Sequence, residues 1–408
     1  MIRRSVSTLA VLRHRVNAGD LRPHAIEAAA ERAEDAVDVR RSFYAGNDRS
    51  HAIHDLPHRG VDYESAIHRN CENVIGYTPI PLGMVGPLRV DGVDRNVPFA
   101  TTEGALVASL NRGAKVLRAA GGVETVVTDV GITRAPLVRF PDLASVTRCE
   151  AWLETHWEEC VQAYATTTSH GRLQRVTVHQ SGRHAHLRFA AHTGNAMGMN
   201  GVSKGVAKVM ERLNAAFPAM EVLSYSGNAC TDKKASAMNW ILGRGKKVVA
   251  EACLTEALLR EHLHVDADAL VRLHVQKNYV GSALAACVGG NNAHAANAVG
   301  GLFLATGQDA AQIGTSSASI TSLERQANGD VVVGVTMPCV EVATIGGGTG
   351  LTAQRAALRT MGIDDSPCAA STLASIVGAT VLSGELSLLA AHASNDLLSA
   401  HMRLGRGD

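Results

Sequence analysis

The order of apolar and polar positions divides the chain into helical and extended stretches. Residues 21–45 are Ala-rich, with Glu27, Glu31, Arg32, Glu34 and Asp35 toward one side, and predict a helix. Residues 46–70 are polar and His-rich without a clear period. The run from Glu72 to Gly83 holds two prolines and two glycines, which predicts an extended, turn-rich loop. A helix is expected to start at Thr101-Thr102-Glu103, with Thr as N-cap, Leu106, Leu110 and Leu117 at helical spacing, and Gly121-Gly122 as its end. Val126-Val127 and residues 137–140 read as strands, and residues 150–165 as a helix. Residues 173–179 and 186–191 alternate around Ser181-Gly182, a hairpin pattern. A helix after Gly198 carries Val206, Val209, Met210 and Leu213. Further helices fall near 235–243, 254–262, 292–306, 350–361 and 368–391, with a β-branched stretch at 331–335.

This order predicts an α+β protein. A small unit of residues 137–222 is inserted in a larger domain of residues 71–136 and 223–408, behind an N-terminal helical segment, 1–70. The length of 408 residues accommodates that division. A net charge of +1 gives no support to a nucleic-acid-binding surface. With 46% apolar residues the chain is not a disordered one. Aromatics are 4% against 39 glycines, so the core is expected to be aliphatic with close backbone approaches. Eight scattered cysteines without a C-x-x-C pair read as reduced thiols and a cytoplasmic location. No membrane span is expected, because the apolar stretch 280–307 is interrupted by Asn291, Asn292, His294 and Asn297. The first 19 residues carry Arg3, Arg4, Arg13 and Arg15 and no acid, and read as a solvated basic terminus with a weak likeness to a transit peptide.

Several segments combine residue types that chemistry uses. Glu103 places a carboxylate at a helix start, where it either serves the dipole or faces a substrate. Asp232-Lys233-Lys234 sits in a small-residue loop. The chain has only eight lysines, so two adjacent ones point to a compact, tunable cation rather than a solvated cluster. Lys277 is another rare lysine, either functional or an ordinary surface residue. Asp309 follows an apolar helix, at an end where the dipole disfavours an acid. Gly346-Gly347-Gly348 is a turn or a ligand-facing loop, and His401 near the C-terminus is solvated or a proton donor. No Rossmann fingerprint, Walker motif or H-E-x-x-H occurs, and no metal is expected. Residues 195–200 could still receive a pyrophosphate at a helix N-terminus.

Longer strings carry a family resemblance. They are ENVIGYTPIPLGMVGPL at 72–88, TTEGALVASLNRGAK at 101–115, SGNACTDKKASAMNWILGRGK at 226–246, and KNYVGSALA at 277–285. NAHAANAVGGLFLATGQDAAQ at 292–312, MPCVEVATIGGGT at 337–349, GELSLLAA at 384–391 and His401 complete the set. The chain resembles the catalytic portion of class I 3-hydroxy-3-methylglutaryl-CoA reductases over about residues 70–406. The resemblance implies a large substrate-binding domain with an inserted, ferredoxin-like nucleotide-binding domain. It implies NADPH-dependent reduction of hydroxymethylglutaryl-CoA to mevalonate and free coenzyme A, within isoprenoid precursor biosynthesis. By motif match, Glu103, Lys233, Asp309 and His401 form the catalytic set. Arg134, Ser226, Asp232, Lys234, Lys277 and Asn297 surround the acyl group, and Asn111 and Arg112 lie toward coenzyme A. Asn195, Met197, Gly198, Met199, Asn200 and Arg406 bind the nucleotide. In this picture a buried Asp309 raises the Glu103 pKa by like-charge repulsion and keeps Lys233 charged. The resemblance also implies a dimer or tetramer with active sites between subunits, and no membrane or nucleic-acid partner.

Two departures bear on the nucleotide. The family usually carries Asp where this chain has Asn195, and Arg where it has Ser169. The missing Arg would suit a 2′-phosphate, so NADH is an alternative cofactor unless Arg172 or Arg406 compensates. Gly407 occupies the place of a regulatory Ser in animal members, so that phospho-switch cannot operate. A catalytically degenerate acyl-CoA-binding homologue is the alternative of another class; a metal hydrolase finds no His/Asp ligand spacing.

Overall fold

Strand β3 (Glu124–Arg134) joins two sheets into one, and the rest of the architecture is arranged on either side of it. The computed structural model describes residues 2–48, 50–67 and 69–394; His401, Arg406 and Gly407 lie outside them. In chain order the other strands are β1 (Leu82–Val90) and β2 (Val93–Ala100) before it. After it come β4 (Leu137–Arg139), β5 (Arg172–Ser181), β6 (His184–His192), β7 (Glu221–Ser224) and β8 (Gly245–Leu254). The last three are β9 (Gly290–Asn291), β10 (Ser319–Arg325) and β11 (Val331–Val340). β1 and β2 form a separate hairpin. Its turn residues Asp91-Gly92 have φ of 48° and 79°, as a two-residue hairpin turn requires.

The main sheet runs β7-β4-β6-β3-β8-β11-β10-β9, with β5 on the far side of β6. Residues 124–131 of β3 pair with β8, and residues 132–134 pair with β6. The handover falls at Gly131, with φ of 84°. That left-handed φ, with the Ala191 backbone N and O 3.1 and 3.2 Å from where a Cβ would stand, favours glycine there. Beyond it, β4, two helices (Leu143–Thr155 and Trp157–Ala165), β5, β6, helix Met199–Ala216 and β7 follow in sequence. Their antiparallel strand order β7-β4-β6-β5 is the ferredoxin-like arrangement. Val138, Phe140, Leu187, Phe189, Val206 and Met210 belong to a core of its own.

The larger core forms around helix Ala369–Ala393. This helix is long and apolar enough to cross a membrane, yet 94% of its apolar window is buried inside the protein. It packs on β8, β3 and helix Leu106–Ala119 through small residues. Ser383 Oγ donates to the Leu110 carbonyl at 2.7 Å, and a Cβ at Gly113 would lie 2.0 Å from the Ser383 carbonyl oxygen. The aliphatic, Gly-rich composition thus serves helix contact at near-backbone distance.

Two expectations are corrected. Residues 21–45 do not form one helix: Pro23–Ala25 is a 3-10 turn, and the helix is Ala33–Ala45. Pro23 is confined to a helix start, and the intervening residues bend around the fully buried Ile26. A separate N-terminal helix, Ile2–Asn17, packs Leu12 and Val16 against the same Ile26. Thr101 does not cap a helix. Its Oγ1 accepts from the Glu103 backbone N–H at 3.0 Å, a local bond that competes with helix formation, and the helix starts at Leu106.

Gly113→Ala is expected to cost about 3 kcal/mol by overpacking against the core helix. Gly300→Ala, where a Cβ meets nothing closer than 4.0 Å, is expected to leave stability unchanged or raise it by up to about 1 kcal/mol. Urea midpoints at constant m-value distinguish the two.

Candidate active site

The loop between β7 and helix Ala237–Leu242 carries the two adjacent lysines. It is held by its backbone: Gly227 donates to the Ala135 carbonyl at 2.7 Å, and Asn239 Nδ2 donates to the Lys234 carbonyl at 3.0 Å. Asn228, Thr231 and Lys233 have φ of 64°, 59° and 58°, a left-handed path that non-glycine residues rarely take. This path carries the Lys233 ammonium to 3.0 Å from Asp309 Oδ2. Asp309 does not sit at an unfavourable helix end. It caps the 3-10 turn Ala310–Gln312, accepting from the Ala311 N–H at 3.0 Å, where a carboxylate is favoured. Nor is it buried: its side chain is 37% exposed, so the expected effect of a buried Asp309 on Glu103 lacks its premise.

Glu103 lies in the loop before helix Leu106–Ala119, and its Oε1 accepts from Asn297 Nδ2 at 3.3 Å. Asn297 stands on helix Ala295–Thr306, with His294 Nδ1 3.4 Å from the same amide. The start of this helix is fixed from below by the buried Glu385. Its carboxylate accepts from the Ala293 and His294 N–H groups at 2.7 and 2.8 Å, and from Thr321 Oγ1 at 2.7 Å.

Arg134, at the end of β3, donates to Ser226 Oγ at 3.1 Å and to Ser203 Oγ at 2.9 Å. It thereby joins the lysine loop to helix Met199–Ala216. Lys234 Nζ reaches the Asp232 carbonyl at 3.3 Å. Lys277 is half-buried on the π-helical turn Val275–Gly281. Within that turn the buried Asn278 donates from Nδ2 to His274 Nδ1 at 3.2 Å. Asn111 and Arg112 point to different neighbours. Asn111 bonds the Gly86 N–H and the Met84 carbonyl and lines a pocket of about 540 Å3 with Lys115, Arg118, Arg89 and His262. Arg112 donates to Ser387.

Helix Met199–Ala216 begins at Gly198, with φ of 81° and no side-chain cap, so its first N–H groups are open to a ligand. Met197, Gly198, Met199 and Asn200 line a cleft of about 740 Å3 together with Asp309, Glu341 and Gly346–Gly348. The expected cofactor segment and the Lys233 partner, Asp309, therefore line one cleft. Asn195 is otherwise engaged: its amide donates to the Ser366 carbonyl at 2.6 Å and accepts from Ala370 N–H at 3.0 Å, capping the core helix. It also borders a second pocket of about 540 Å3, with His170, His192 and Asp365. Arg172 does not line that pocket; it is exposed at the start of β5. Among the described residues no group of three or more His, Cys, Asp or Glu is placed to hold a metal ion.

Beneath the lysine loop lies a buried network that the motifs did not single out. Arg244 is sealed from solvent and pairs with Glu341 and with Asp232, the latter at 3.1 Å. Gln312 Nε2 reaches the same Asp232 oxygen at 2.8 Å. Burial pushes the Glu341 carboxyl up to about 7, against the pull of Arg244. The available signal was a charged residue inside an apolar or Gly-rich run: Arg244 in Gly-Arg-Gly-Lys, Glu341 in Cys-Val-Glu-Val, Glu385 in Ser-Gly-Glu-Leu.

Residues 36–406 match the family model described as hydroxymethylglutaryl-coenzyme A reductase. The chain belongs to the hydroxymethylglutaryl-coenzyme A reductase family. It is 46% identical over 394 residues to the 3-hydroxy-3-methylglutaryl-coenzyme A reductase of Drosophila melanogaster, covering 94% of this chain and 43% of that protein. To reductase 2 of Dictyostelium discoideum it is 44% identical over 400 residues, covering 95% and 76%. It spans less than half the length of the insect relative. The fold is shared with a class II 3-hydroxy-3-methylglutaryl-CoA reductase from Streptococcus pneumoniae bound to NADPH in open conformations. That match has a TM-score of 0.65 and 19% identity, over 79% of this chain and 88% of the other.

Burial holds the His274 imidazole down at about 4, against 6.5 for the ordinary residue. A base depressed in the folded state contributes stability above about pH 6.5 that is lost as pH falls toward 4. His274→Phe is expected to flatten the pH dependence of the urea midpoint across that window, and an unchanged slope would exclude this role.

Proposed function

We propose that the protein reduces 3-hydroxy-3-methylglutaryl-CoA to mevalonate and free coenzyme A with two equivalents of NADPH. The observation that carries this reading is the single cleft lined by Asp309, which holds Lys233, and by the uncapped helix start at Met197–Asn200. Family membership supplies the substrate. The overall change consumes two hydrides and two protons per thioester and releases one alcohol and one thiol.

The residues fit a dinucleotide at this cleft. Gly198 brings backbone N–H groups to a surface that a larger residue would close, since a Cβ there meets Thr193 at 2.5 Å. Bound there, the nicotinamide supplies hydride. The chain supplies the rest. Lys233 offers a fixed cation to the oxyanion that forms when the thioester carbonyl, and later the aldehyde, is reduced. Asp309 holds that ammonium in place. Glu103, held by Asn297, is the proton source for the alcohol. His401 is the proton source for the departing thiolate, a task suited to a group titrating near neutrality. Arg134, Ser226, Lys234 and Lys277 receive the free carboxylate and hydroxyl of the acyl group, and the Asn111–Lys115–Arg118 pocket receives phosphates of coenzyme A.

NADH is a second reading, favoured by the pocket beside Asn195. Among the described residues its ionisable lining is His170, His192, Asp365 and Tyr164, with no Arg or Lys to meet a 2′-phosphate. The molecule is further assigned to a homo-oligomer with sites completed between subunits. The exposed apolar side chains of Ile241 and Leu284, 81% and 85% exposed, support an interface near the lysine loop and the Lys277 turn. Free cysteines support a reducing, cytoplasmic location.

Steady-state oxidation of NADPH and of NADH with the hydroxymethylglutaryl thioester tests the reading. Two nucleotides oxidised per mevalonate formed is the expected stoichiometry. Lys233→Ala is expected to lower kcat by about 10²–10³. The melting temperature should barely move, because the Lys233–Asp309 pair is solvent-exposed. A folded wild-type chain that binds the thioester without oxidising either nucleotide would instead be the degenerate binding homologue.

A further inference from the structure

Arg244 takes no part in the chemistry above, yet it touches four segments that carry or adjoin residues of that chemistry. Its Nε donates to Thr133 Oγ1 at 3.0 Å, and one Nη pairs with Glu341. The other Nη reaches Asp232 Oδ1 at 3.1 Å and Met199 Sδ at 2.9 Å. Thr133 precedes Arg134, and Asp232 precedes Lys233. Met199 opens the helix whose start lines the cleft, and Glu341 lines the same cleft with the glycines at 346–348. Four segments remote in sequence are thus referred to one planar group whose N–H directions are fixed.

Stability alone is a weak reason for such a cluster. Desolvating a guanidinium and two carboxylates consumes most of what their attraction returns, and apolar side chains of similar volume commonly do as well. What apolar packing does not supply is direction. A forked donor holds its acceptors at set angles, and so fixes the segments that carry them.

We propose that Arg244 is a positioning residue that sets the nucleotide-binding helix and the Lys233 loop in one register, so that nucleotide affinity and the placement of the catalytic cation depend on the same guanidinium. The inference rests on the reductase reading above, but it has a readout that does not require turnover. The variants are Arg244→Lys, Arg244→Met, Glu341→Gln and Thr133→Val, each checked for folding by circular dichroism and thermal unfolding. NADPH affinity is measured by nicotinamide fluorescence without thioester, and kcat and the NADPH KM by steady-state kinetics.

In folded variants the NADPH Kd and KM are expected to rise together at least fivefold, and kcat to fall at least tenfold. Arg244→Lys, which keeps the charge but not the fork, should lose less than Arg244→Met. A role confined to holding the fold would lower the melting temperature and leave Kd and kcat within twofold of wild type in the variants that still fold, and that result overturns the proposal. Where the Arg244 variants fail to fold, Glu341→Gln and Thr133→Val, which alter one partner each at nearly constant shape, decide it by the same thresholds. A wild-type protein that binds NADPH but turns over no thioester defeats the reductase reading, and the Kd comparison then judges Arg244 on its own.

Discussion

The structure is organised around a charge that has no access to water. A guanidinium has five N–H donors and no acceptor, so the burial of Arg244 obliges the surrounding chain to bring acceptors to it. Asp232, Glu341 and Thr133 answer that obligation from a loop, the end of one strand and the end of another. The consequence is geometric. A loop that would otherwise be a surface connection between β7 and a six-residue helix is tied at Asp232 to the floor of the protein. Its two lysines then emerge from a fixed point.

The seam between the two cores is where this matters. Because β3 belongs to both halves of the main sheet, the ferredoxin-like unit is not appended through a linker; it is hydrogen-bonded into the larger body. Asn195 and Arg134 add side-chain ties across the same seam, the first to the core helix and the second to the lysine loop. A nucleotide held by one unit and an acyl group held by the other would therefore meet with little freedom of approach. Effective molarity between bound reactants grows with that restriction.

Sequence patterning revealed most of the helices and the small unit's hairpin, and it pointed to the residue types of the candidate site. It did so because helical periods, glycine stops and rare lysines are local signals. What it missed was set by partners far along the chain. The Thr101 hydroxyl was a plausible cap until its own loop claimed it, and Asp309 looked misplaced until the 3-10 turn behind it was visible. The core helix is apolar on all sides, so periodicity could not say what it packs against. Arg244 and Glu341 were unreadable for a deeper reason. Their partners lie between 12 and 111 positions away, and only the folded sheet brings them together. Motif strings located the family, since they record such long-range outcomes without explaining them.

The lysine loop illustrates how far local cost is tolerated for placement. Left-handed backbone at three non-glycine residues is unfavourable by about 1 kcal/mol or more each. The ion pair it creates between Lys233 and Asp309 is 46% and 37% exposed, and such pairs return about 0–1 kcal/mol. The loop is therefore a net expense if stability is its purpose. Arginine, used nearly four times as often as lysine in this chain, would form that pair at least as well. A lysine in a strained turn, braced from beneath by a buried network and open above to a cleft, makes sense where a compact cation must be held against a charge that exists only during a reaction. The strain is offset elsewhere, in the aliphatic core. The distribution of cost and support is itself evidence that this loop is shaped for chemistry rather than for folding.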